Sequence, residues 1–501
     1  MRKTTVCIIG AGLGGLSTAI ALSALGYEVN VIEKNPKAGG KMNVYKEKGY
    51  TFDIGPHIIT LPYIVEDLFS SVNKKTNSYF DLIKIDPLNH YLFSQNDFKF
   101  SQNKKNNENQ ISEKFPKDFK NYQKLGKLSQ KYFCFSRSKF EEYKNKNLFQ
   151  YLNTQVNLMR LSLNLPFISI TNRLERLFEE KDLKDLYKSY SFYVGSDPRK
   201  TVSIYLMLDF IEQKYGNFYV KGGMYNLVRG FEKLAHELGV NFFYDTEITN
   251  IITEDSIVKS IKGYSRNLNK TIEFNSDIYV SNIDFGVTHK LITTSSNKRQ
   301  TKINNEIKSY YSLPQSTSAF ILLLGLDIKI EGLSHHNTFL SDDIDKEFNE
   351  IFISKTLPSD PTLGIDITSK TDPSTTPKGG ETLFIMASPP SQSNIPWEKV
   401  KEEYANKIIR KIEERINKNL TEHVVVRKIL TPHDISELYN QPFGAIYGQS
   451  VWGIKGLLMR KKNKSKLFKN LYFAGGSVRP GAGIPMVVSS GMTVAKLINK
   501  T

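Results

Sequence analysis

Residues 3–33 read KTTVCIIGAGLGGLSTAIALSALGYEVNVIE. The apolar run at residues 4–9 predicts a strand, the alanine- and leucine-rich run at 16–25 predicts a helix, and Glu28–Ile32 predicts a second buried strand. Glycines fill the turn between the first strand and the helix, and Glu33 follows the second strand about twenty positions later. A G-x-G-x-x-G turn in this context predicts a unit that binds a dinucleotide.

The residues of this turn have separate expected roles. Gly10 permits the tight turn, Gly12 lets the backbone approach a pyrophosphate, and Gly15 lets the helix pack close to the strand, with Gly14 in the same turn. The start of the helix offers free N–H groups and partial positive charge to the phosphates. Glu33 is expected to accept hydrogen bonds from the adenosine ribose.

The same stretch has a second interpretation. Residues 6–25 follow two basic residues and resemble a signal peptide or a membrane span. Four glycines make this run a poor membrane helix, and no small-residue cleavage site separates it from the second strand. The dinucleotide unit is therefore the favoured interpretation.

Composition and charge narrow the class of protein. A chain of 501 residues with 40% hydrophobic residues can bury a large core and divide into two structural units. The net charge of +17 favours polyanionic partners, and residues 99–146 alone carry thirteen Lys or Arg against five Asp or Glu. An anionic bilayer, a nucleic acid or no partner at all is compatible with this basic stretch, which precedes an apolar patch at residues 161–170.

Cysteine and histidine usage argues against several kinds of site. Only Cys7 and Cys134 are present, far apart, which speaks against a disulfide scaffold or zinc site and suits a reducing cytoplasm. The adjacent pair His335 and His336 has no nearby cysteine and is expected to lie in a surface turn. We therefore expect no metal site.

Further glycine-rich segments extend the nucleotide pattern. Residues 34–42 read KNPKAGGKM, and residues 50–57 read YTFDIGPH. Near the other end, residues 473–485 read FAGGSVRPGAGIP and precede a predicted helix at 484–498. A glycine turn before a helix again makes an anion site, so two such turns at opposite ends of the chain strengthen the dinucleotide interpretation.

These segments, together with KYGNFYVKGGM at 214–224 and HHNTFLSDD at 335–343, resemble the bacterial-type phytoene desaturases, a carotenoid desaturase family within the amine oxidase superfamily. The resemblance implies FAD as the cofactor. It also implies an α/β fold in which a discontinuous, Rossmann-like FAD-binding domain carries an inserted α+β domain. We assign residues 1–90, 215–295 and 425–501 to the FAD domain, and 91–214 and 296–424 to a membrane-associated substrate domain.

The resemblance also implies a set of cofactor contacts. These are Gly10, Gly12, Gly14, Gly15, Glu33, Lys34, Gly39, Gly40, Lys41, Met42, Gly55, Pro56, His57, Ile248, Gly475, Gly476, Ile484, Pro485 and Met486. Arg479 stands where the family typically has histidine, and its expected place near the flavin ring gives it a possible role toward the substrate. No residue is predicted to be the proton acceptor.

The implied reaction is desaturation of a long polyene, in which the flavin takes a hydride and a neighbouring carbon loses a proton. The sequence holds no second G-x-G-x-x-G unit, so quinone or oxygen, rather than NAD(P)H, is the expected electron acceptor. The substrate is expected to come from the bilayer. The protein is expected to be cytoplasmic, peripheral on the inner face of an anionic membrane and without a nucleic-acid partner.

Three alternatives stay open. A related flavoenzyme could oxygenate, isomerise or saturate a polyene. An amine oxidase is a second alternative, although its usual lysine–water pair and aromatic cage cannot be located in the sequence. A protein of the prenyl-Rab chaperone type, which shares the architecture without a working flavin, is the third, and the intact glycine turns argue against it.

Overall fold

The computed structural model describes residues 2–145, 167–458 and 460–500. Residues 161–166 of the predicted apolar patch (161–170) lie outside the described residues, and so does Lys146, the last residue of the basic stretch. No helix among the described residues is both long and apolar enough to cross a membrane.

The described residues form the following β-strands and α-helices. The strands are β1 (Thr5–Ile9), β2 (Glu28–Ile32), β3 (Val44–Glu47), β4 (Tyr50–Asp53), β5 (Leu82–Ile85), β6 (Asn89–Leu92), β7 (Asp97–Phe100), β8 (Asn217–Val220), β9 (Asn241–Phe243), β10 (Thr246–Glu254), β11 (Ile257–Ser265), β12 (Lys270–Phe274), β13 (Ile278–Ser281), β14 (Ile292–Thr294), β15 (Phe320–Leu326), β16 (His336–Phe339), β17 (Leu363–Asp366), β18 (Glu381–Ala387), β19 (Val424–Leu430) and β20 (Leu471–Phe473). The helices are α1 (Leu13–Ala24), α2 (Tyr63–Ser70), α3 (Lys104–Lys114), α4 (Phe119–Asn145), α5 (Ile170–Glu175), α6 (Lys181–Ser189), α7 (Met207–Tyr215), α8 (Tyr225–Glu237), α9 (Phe285–Lys290), α10 (Asn297–Tyr311), α11 (Ile344–Asn349), α12 (Trp397–Ile416), α13 (Pro432–Tyr439), α14 (Gly453–Leu458) and α15 (Ile484–Asn499).

A five-stranded parallel sheet gathers distant parts of the chain. Its order is β20-β13-β1-β2-β9, so the first strand of the protein is paired with β2 on one side and β13 on the other. Both faces of β1 are buried: Val6 and Ile8 join the core that contains α1, and Cys7 and Ile9 join a second core on the opposite face. Burial on both faces explains why the strand is a continuous apolar run. The predicted α/β class is confirmed.

The first helix begins earlier than its sequence predicts. It starts at Leu13, not at residue 16, and so includes Gly14 and Gly15 in its first turn. Glycine is unfavourable inside a helix, so helix propensity alone predicts that the helix starts after the glycines. Close packing overrides this preference, because a Cβ on Gly15 would lie 2.2 Å from the carbonyl oxygen of Gly10.

A seven-stranded sheet forms the second large unit of the structure, in the order β19-β15-β18-β17-β16-β6-β7. It draws on residues 89–100, 320–387 and 424–430, whereas the parallel sheet draws on 5–32, 241–281 and 471–473. One face of this sheet packs on α12 through alternate residues such as Phe320, Leu322 and Leu324. Side chains alternate between the two faces of a strand, so the opposite face carries a different set of residues. Part of it packs on β4, as Leu323 does, and the rest lines a cavity.

Candidate functional site

The acidic residue after β2 is tied to the first glycine turn. Glu33 is buried, and its Oε2 accepts a hydrogen bond from the backbone N–H of Ala11 at 2.8 Å. Its Oε1 accepts from the backbone and side-chain amides of Asn35 at 3.0 and 2.9 Å. Burial raises the pKa of Glu33, and these hydrogen bonds oppose the rise. The carboxylate is thus held at the edge of the turn, where an acceptor for ribose hydroxyls is needed.

The glycine turns from the two ends of the chain meet. A Cβ on Gly14 would lie 2.5 Å from Oδ1 of Asn282 and 3.0 Å from Cα of Gly475. The Asn282 amide also donates to the carbonyl oxygen of Gly10 at 3.3 Å. Helix α15 packs on α1 here, and a Cβ on Gly491 would lie 2.6 Å from the carbonyl oxygen of Gly14. Glycine is required at these positions because no side chain fits between the backbones.

The second glycine pair extends the same cradle. Gly39 has a φ of +132° and donates its N–H to the carbonyl oxygen of Ala11 at 3.0 Å. Lys41 is held next to it, with Nζ donating to the carbonyl oxygen of Ile446 at 2.8 Å. Burial lowers the pKa of Lys41 to about 8 against the opposing charge of Asp284. The lysine therefore supplies a cation to this part of the cavity at neutral pH.

The structure brings the predicted site residues together around one cavity of about 1740 Å³. Gly15 is the exception, since it packs against Gly10 without lining the cavity. The predicted residues that do line it are Gly10, Gly12, Gly14, Glu33, Lys34, Gly39, Gly40, Lys41, Met42, Gly55, Pro56, His57, Ile248, Gly475, Gly476, Arg479, Ile484, Pro485 and Met486. Their individual contacts to FAD remain predictions.

One part of the cavity fits a dinucleotide such as FAD. In this part the wall is formed by backbone atoms at glycines such as Gly14, where a Cβ would collide with a neighbour. The first residues of α1 also line it. The buried carboxylate of Glu33 and the partly buried Lys41 lie beside these turns. Exposed N–H groups, positive charge and a ribose acceptor are the groups that bind a dinucleotide diphosphate.

The remainder of the cavity is largely apolar. Segment 204–211 contributes Ile204, Leu208 and Ile211, and the seven-stranded sheet contributes Ile321 and Met386. The whole cavity exceeds the roughly 300–1,000 Å³ of a typical small-molecule site. It therefore has room for a second, apolar ligand next to a nucleotide.

Sequence reasoning missed several residues of this cavity. Asn282 and Arg460 hold the glycine turns, and Nη1 of Arg460 donates to the carbonyl oxygen of Gly476 at 2.5 Å. His336, Asp366 and Glu212 line the apolar part. One signal was available, because alternate residues of a strand lie on the same face. In the segments HNTF (residues 336–339) and LGID (residues 363–366), this rule could have placed His336 and Asp366 on one face of a sheet.

The expectation that His335 and His336 lie in a surface turn is wrong. His335 is 4% exposed, and His336 begins strand β16 with Nδ1 bonded to Asp366. His335 is buried and His336 is partly buried, because β16 is an internal strand of the sheet and its other face lines the cavity. Among the described residues, no group of three or more His, Cys, Asp or Glu side chains is placed to hold a metal ion.

Comparison with known proteins connects this cavity to a family. The profile of the family described as flavin containing amine oxidoreductase matches residues 13–499. The chain is 32% identical to 4,4'-diapolycopene oxygenase of Methylomonas sp., over 98% of this chain and 97% of the relative. It is 30% identical to 4,4'-diaponeurosporene oxygenase of Staphylococcus haemolyticus, over 100% and 98%. It is 31% identical to 1-hydroxycarotenoid 3,4-desaturase of a Flavobacterium species, over 99% of each chain.

Solved structures share the fold at low identity. An oxidoreductase from Methanosarcina mazei superposes with a TM-score of 0.65 at 14% identity, covering 98% of this chain and 100% of that one. Putrescine oxidase bound to putrescine also gives a TM-score of 0.65, at 12% identity and full coverage of both chains. At these identities the likeness concerns the fold alone.

Proposed function

Because the chain belongs to the flavin-containing amine oxidoreductase family and is a carotenoid desaturase-like, FAD-dependent oxidoreductase, we propose that it oxidises an acyclic carotenoid by desaturation. One observation carries this proposal: a single cavity joins the glycine turns to an apolar wall formed by segment 204–211 and the seven-stranded sheet. A polyene has no polar groups along its length, so it needs a dry apolar wall beside the redox cofactor.

The residues have separable tasks in such a reaction. The start of α1 and the turns at Gly12 and Gly475 would hold the FAD diphosphate, and Glu33 would hold the adenosine ribose. FAD, when bound, supplies a two-electron hydride acceptor. The apolar wall, including Ile321 and Met386, orients the hydrocarbon and excludes water from the reacting carbons.

The substrate is proposed to enter from an anionic membrane surface. Phe135, from the basic stretch 99–146, and Phe167, from the apolar patch 161–170, both line the cavity. Ile454 also lines it and is 45% exposed, so the cavity reaches the surface beside an apolar side chain. Basic residues attract anionic lipid and apolar residues enter its acyl layer, which together favour peripheral binding.

Oxygenation is the second candidate reaction. The relatives of Methylomonas and Staphylococcus described above are named as oxygenases, and Arg479 occupies a position where the carotenoid desaturases typically have histidine. In either case quinone or oxygen is the proposed acceptor that reoxidises the flavin.

Mass spectrometry of products tests these proposals. The FAD-loaded protein on anionic liposomes is given acyclic carotenes of thirty and forty carbons, with quinone or oxygen, and putrescine in a parallel reaction. Products lighter by pairs of hydrogen atoms support desaturation, and products heavier by oxygen support oxygenation. Absence of carotene products, or oxidation of putrescine alone, overturns the carotenoid assignment. Rapid bleaching of the flavin by NADPH overturns the proposed electron acceptors.

A further inference from the structure

The cavity-facing side of the seven-stranded sheet carries two rows of side chains. Strand pairing aligns Ile321, Met386, Gly364 and Thr338 in one row, and Phe384, Asp366 and His336 in the next. All of these residues line the cavity. Among these cavity-lining residues, those of β15 and β18 are apolar, and the charged ones, Asp366 and His336, lie where β17 meets β16.

The charged part of this face is a directly opposed pair. Nδ1 of His336 lies 2.5 Å from Oδ1 of Asp366 across the two strands. The other carboxylate oxygen lies 3.6 Å from Nδ1 of His57, whose ring packs on Phe384 at a centroid distance of 4.0 Å. Asp366 is therefore held between two imidazoles, and His57 ties the pair to the segment that follows β4.

The protonation of the pair follows from its contacts. Burial raises the pKa of Asp366, but the facing His336 and His57 outweigh burial and hold that pKa at about 2. Burial lowers the pKa of His336, and the Asp366 carboxylate reverses this effect and raises it. An ionised carboxylate only accepts hydrogen bonds, so Nδ1 of His336 donates to Asp366. Below its raised pKa the imidazole is protonated on Nε2 as well, and Nε2 is then a second donor.

The second ring nitrogen of His336 is available to a ligand. Within the described part of the chain, no residue forms a hydrogen bond with its Nε2. The neighbouring acid Glu212 already accepts hydrogen bonds from Tyr190, Tyr193 and Asn217, so it is satisfied without a ligand. Nε2 of His336 faces the cavity, and covering an unpaired polar atom of an ion pair with a pure hydrocarbon is costly, because the hydrocarbon offers no hydrogen bond.

We propose that His336, oriented by Asp366, is a polar subsite that hydrogen-bonds a hydroxyl or carbonyl oxygen carried by the polyene ligand. This inference rests on the proposed function and deepens it, because it specifies that the cavity prefers a polyene that already bears oxygen over the hydrocarbon. His336 is a binding residue in this role. Asp366 is a positioning residue, since it acts only through the imidazole.

Equilibrium binding to the FAD-loaded protein tests the subsite without relying on turnover. The probes are 4,4'-diapolycopene and the same chain with one terminal aldehyde, measured at pH 6, below the raised pKa of His336, so that Nε2 can donate to the aldehyde oxygen. The readout is the shift of the polyene absorption band on binding. The wild type is expected to bind the aldehyde about 10-fold more tightly, the effect of one hydrogen bond. His336→Leu is expected to abolish this preference by weakening aldehyde binding alone.

Two further variants sharpen the result. His336→Gln keeps an amide donor and is expected to retain part of the preference, and it decides the question if the leucine variant does not fold. His423 forms an exposed pair with Asp327 at 2.9 Å, so His423→Leu removes a histidine–aspartate pair outside the cavity and should leave the preference unchanged. Equal binding of both probes by the wild type, or a preference that survives in His336→Leu, overturns the subsite. Failure of the wild type to bind either polyene overturns the proposed function itself.

Discussion

Oε2 of Glu33 accepts the backbone N–H of Ala11 at 2.8 Å, so the carboxylate after β2 fixes the shape of the glycine turn after β1. We expect Glu33→Ala to weaken FAD binding by about 10- to 100-fold, because it removes both this charged hydrogen bond and the proposed acceptor for the ribose. Titration of apoprotein with FAD, followed by flavin fluorescence, measures the effect. Glu28→Ala, at the exposed start of the same strand, should bind FAD as the wild type does.

The contact between the two glycine turns predicts a second effect. Gly14→Ala places a methyl group 2.5 Å from Oδ1 of Asn282 and 3.0 Å from Cα of Gly475, so the Asn282 side chain and the second glycine turn must both shift. We expect a loss of about 1–3 kcal/mol in the free energy of unfolding and weaker FAD binding.

Gly126→Ala is the matched control: a Cβ at Gly126 meets no atom within 4 Å, and alanine favours the α4 helix. Denaturant unfolding of both variants decides the point, and equal stability of the two would contradict it.

Gly364 offers a way to fill the apolar part of the cavity alone. A Cβ at this position meets nothing within 4 Å, and the residue lines the cavity between Thr338 and Met386. Gly364→Leu should therefore fold and retain FAD but bind a polyene at least about 10-fold more weakly, because the leucine occupies its space. Gly364→Ala should have a much smaller effect. Polyene binding at wild-type strength in the leucine variant would show that the ligand lies elsewhere.

Glu347 gives the protein a defined dependence of stability on pH. Its carboxyl accepts hydrogen bonds from the N–H and the hydroxyl of Thr362 at 2.7 and 2.6 Å, and burial raises its pKa from the ordinary 4.5 to about 8. Between these values the folded state binds more protons than the unfolded state, so this group lowers stability as pH rises from about 4.5 to about 8. Above that range its effect is constant.

Replacement of this carboxyl tests the dependence. We expect Glu347→Gln to gain melting temperature relative to the wild type as pH increases from 5 to 8.5, because the amide has no proton to lose. Glu331→Gln, on an exposed loop, should follow the wild type across the same range. A melting-temperature difference for Glu347→Gln that does not change with pH would contradict the assigned pKa.

The nucleotide side of the cavity could be predicted because its signals are local. Gly10 to Glu33 lie within one strand–helix–strand unit, and the fixed spacing of the turn reveals the backbone geometry. The predicted start of α1 was wrong because helix propensity considers only the local sequence. The observed start depends on the packing of Gly15 against Gly10, which is a tertiary contact.

The residues that line the apolar part of the cavity could not be predicted in the same way. His336 and Asp366 are thirty residues apart and meet only because β16 pairs with β17, and their register is set by the assembled sheet. The sequence around His336 is polar, so the residue is predicted to lie on the surface unless the sheet that contains it is known. The resemblance to carotenoid desaturases predicted the cofactor, whereas the polar subsite required the strand register.

Strand β20 and the glycine turn after it make the cofactor cradle a product of the assembled sheet. Gly475 lies against Gly14, although the two glycines belong to segments far apart in the sequence. The strand–helix–strand unit of residues 3–33 would therefore lack one wall of the cradle if it folded by itself. Coenzyme affinity is consequently a reporter of correct assembly, because only a chain whose distant segments have met offers both walls.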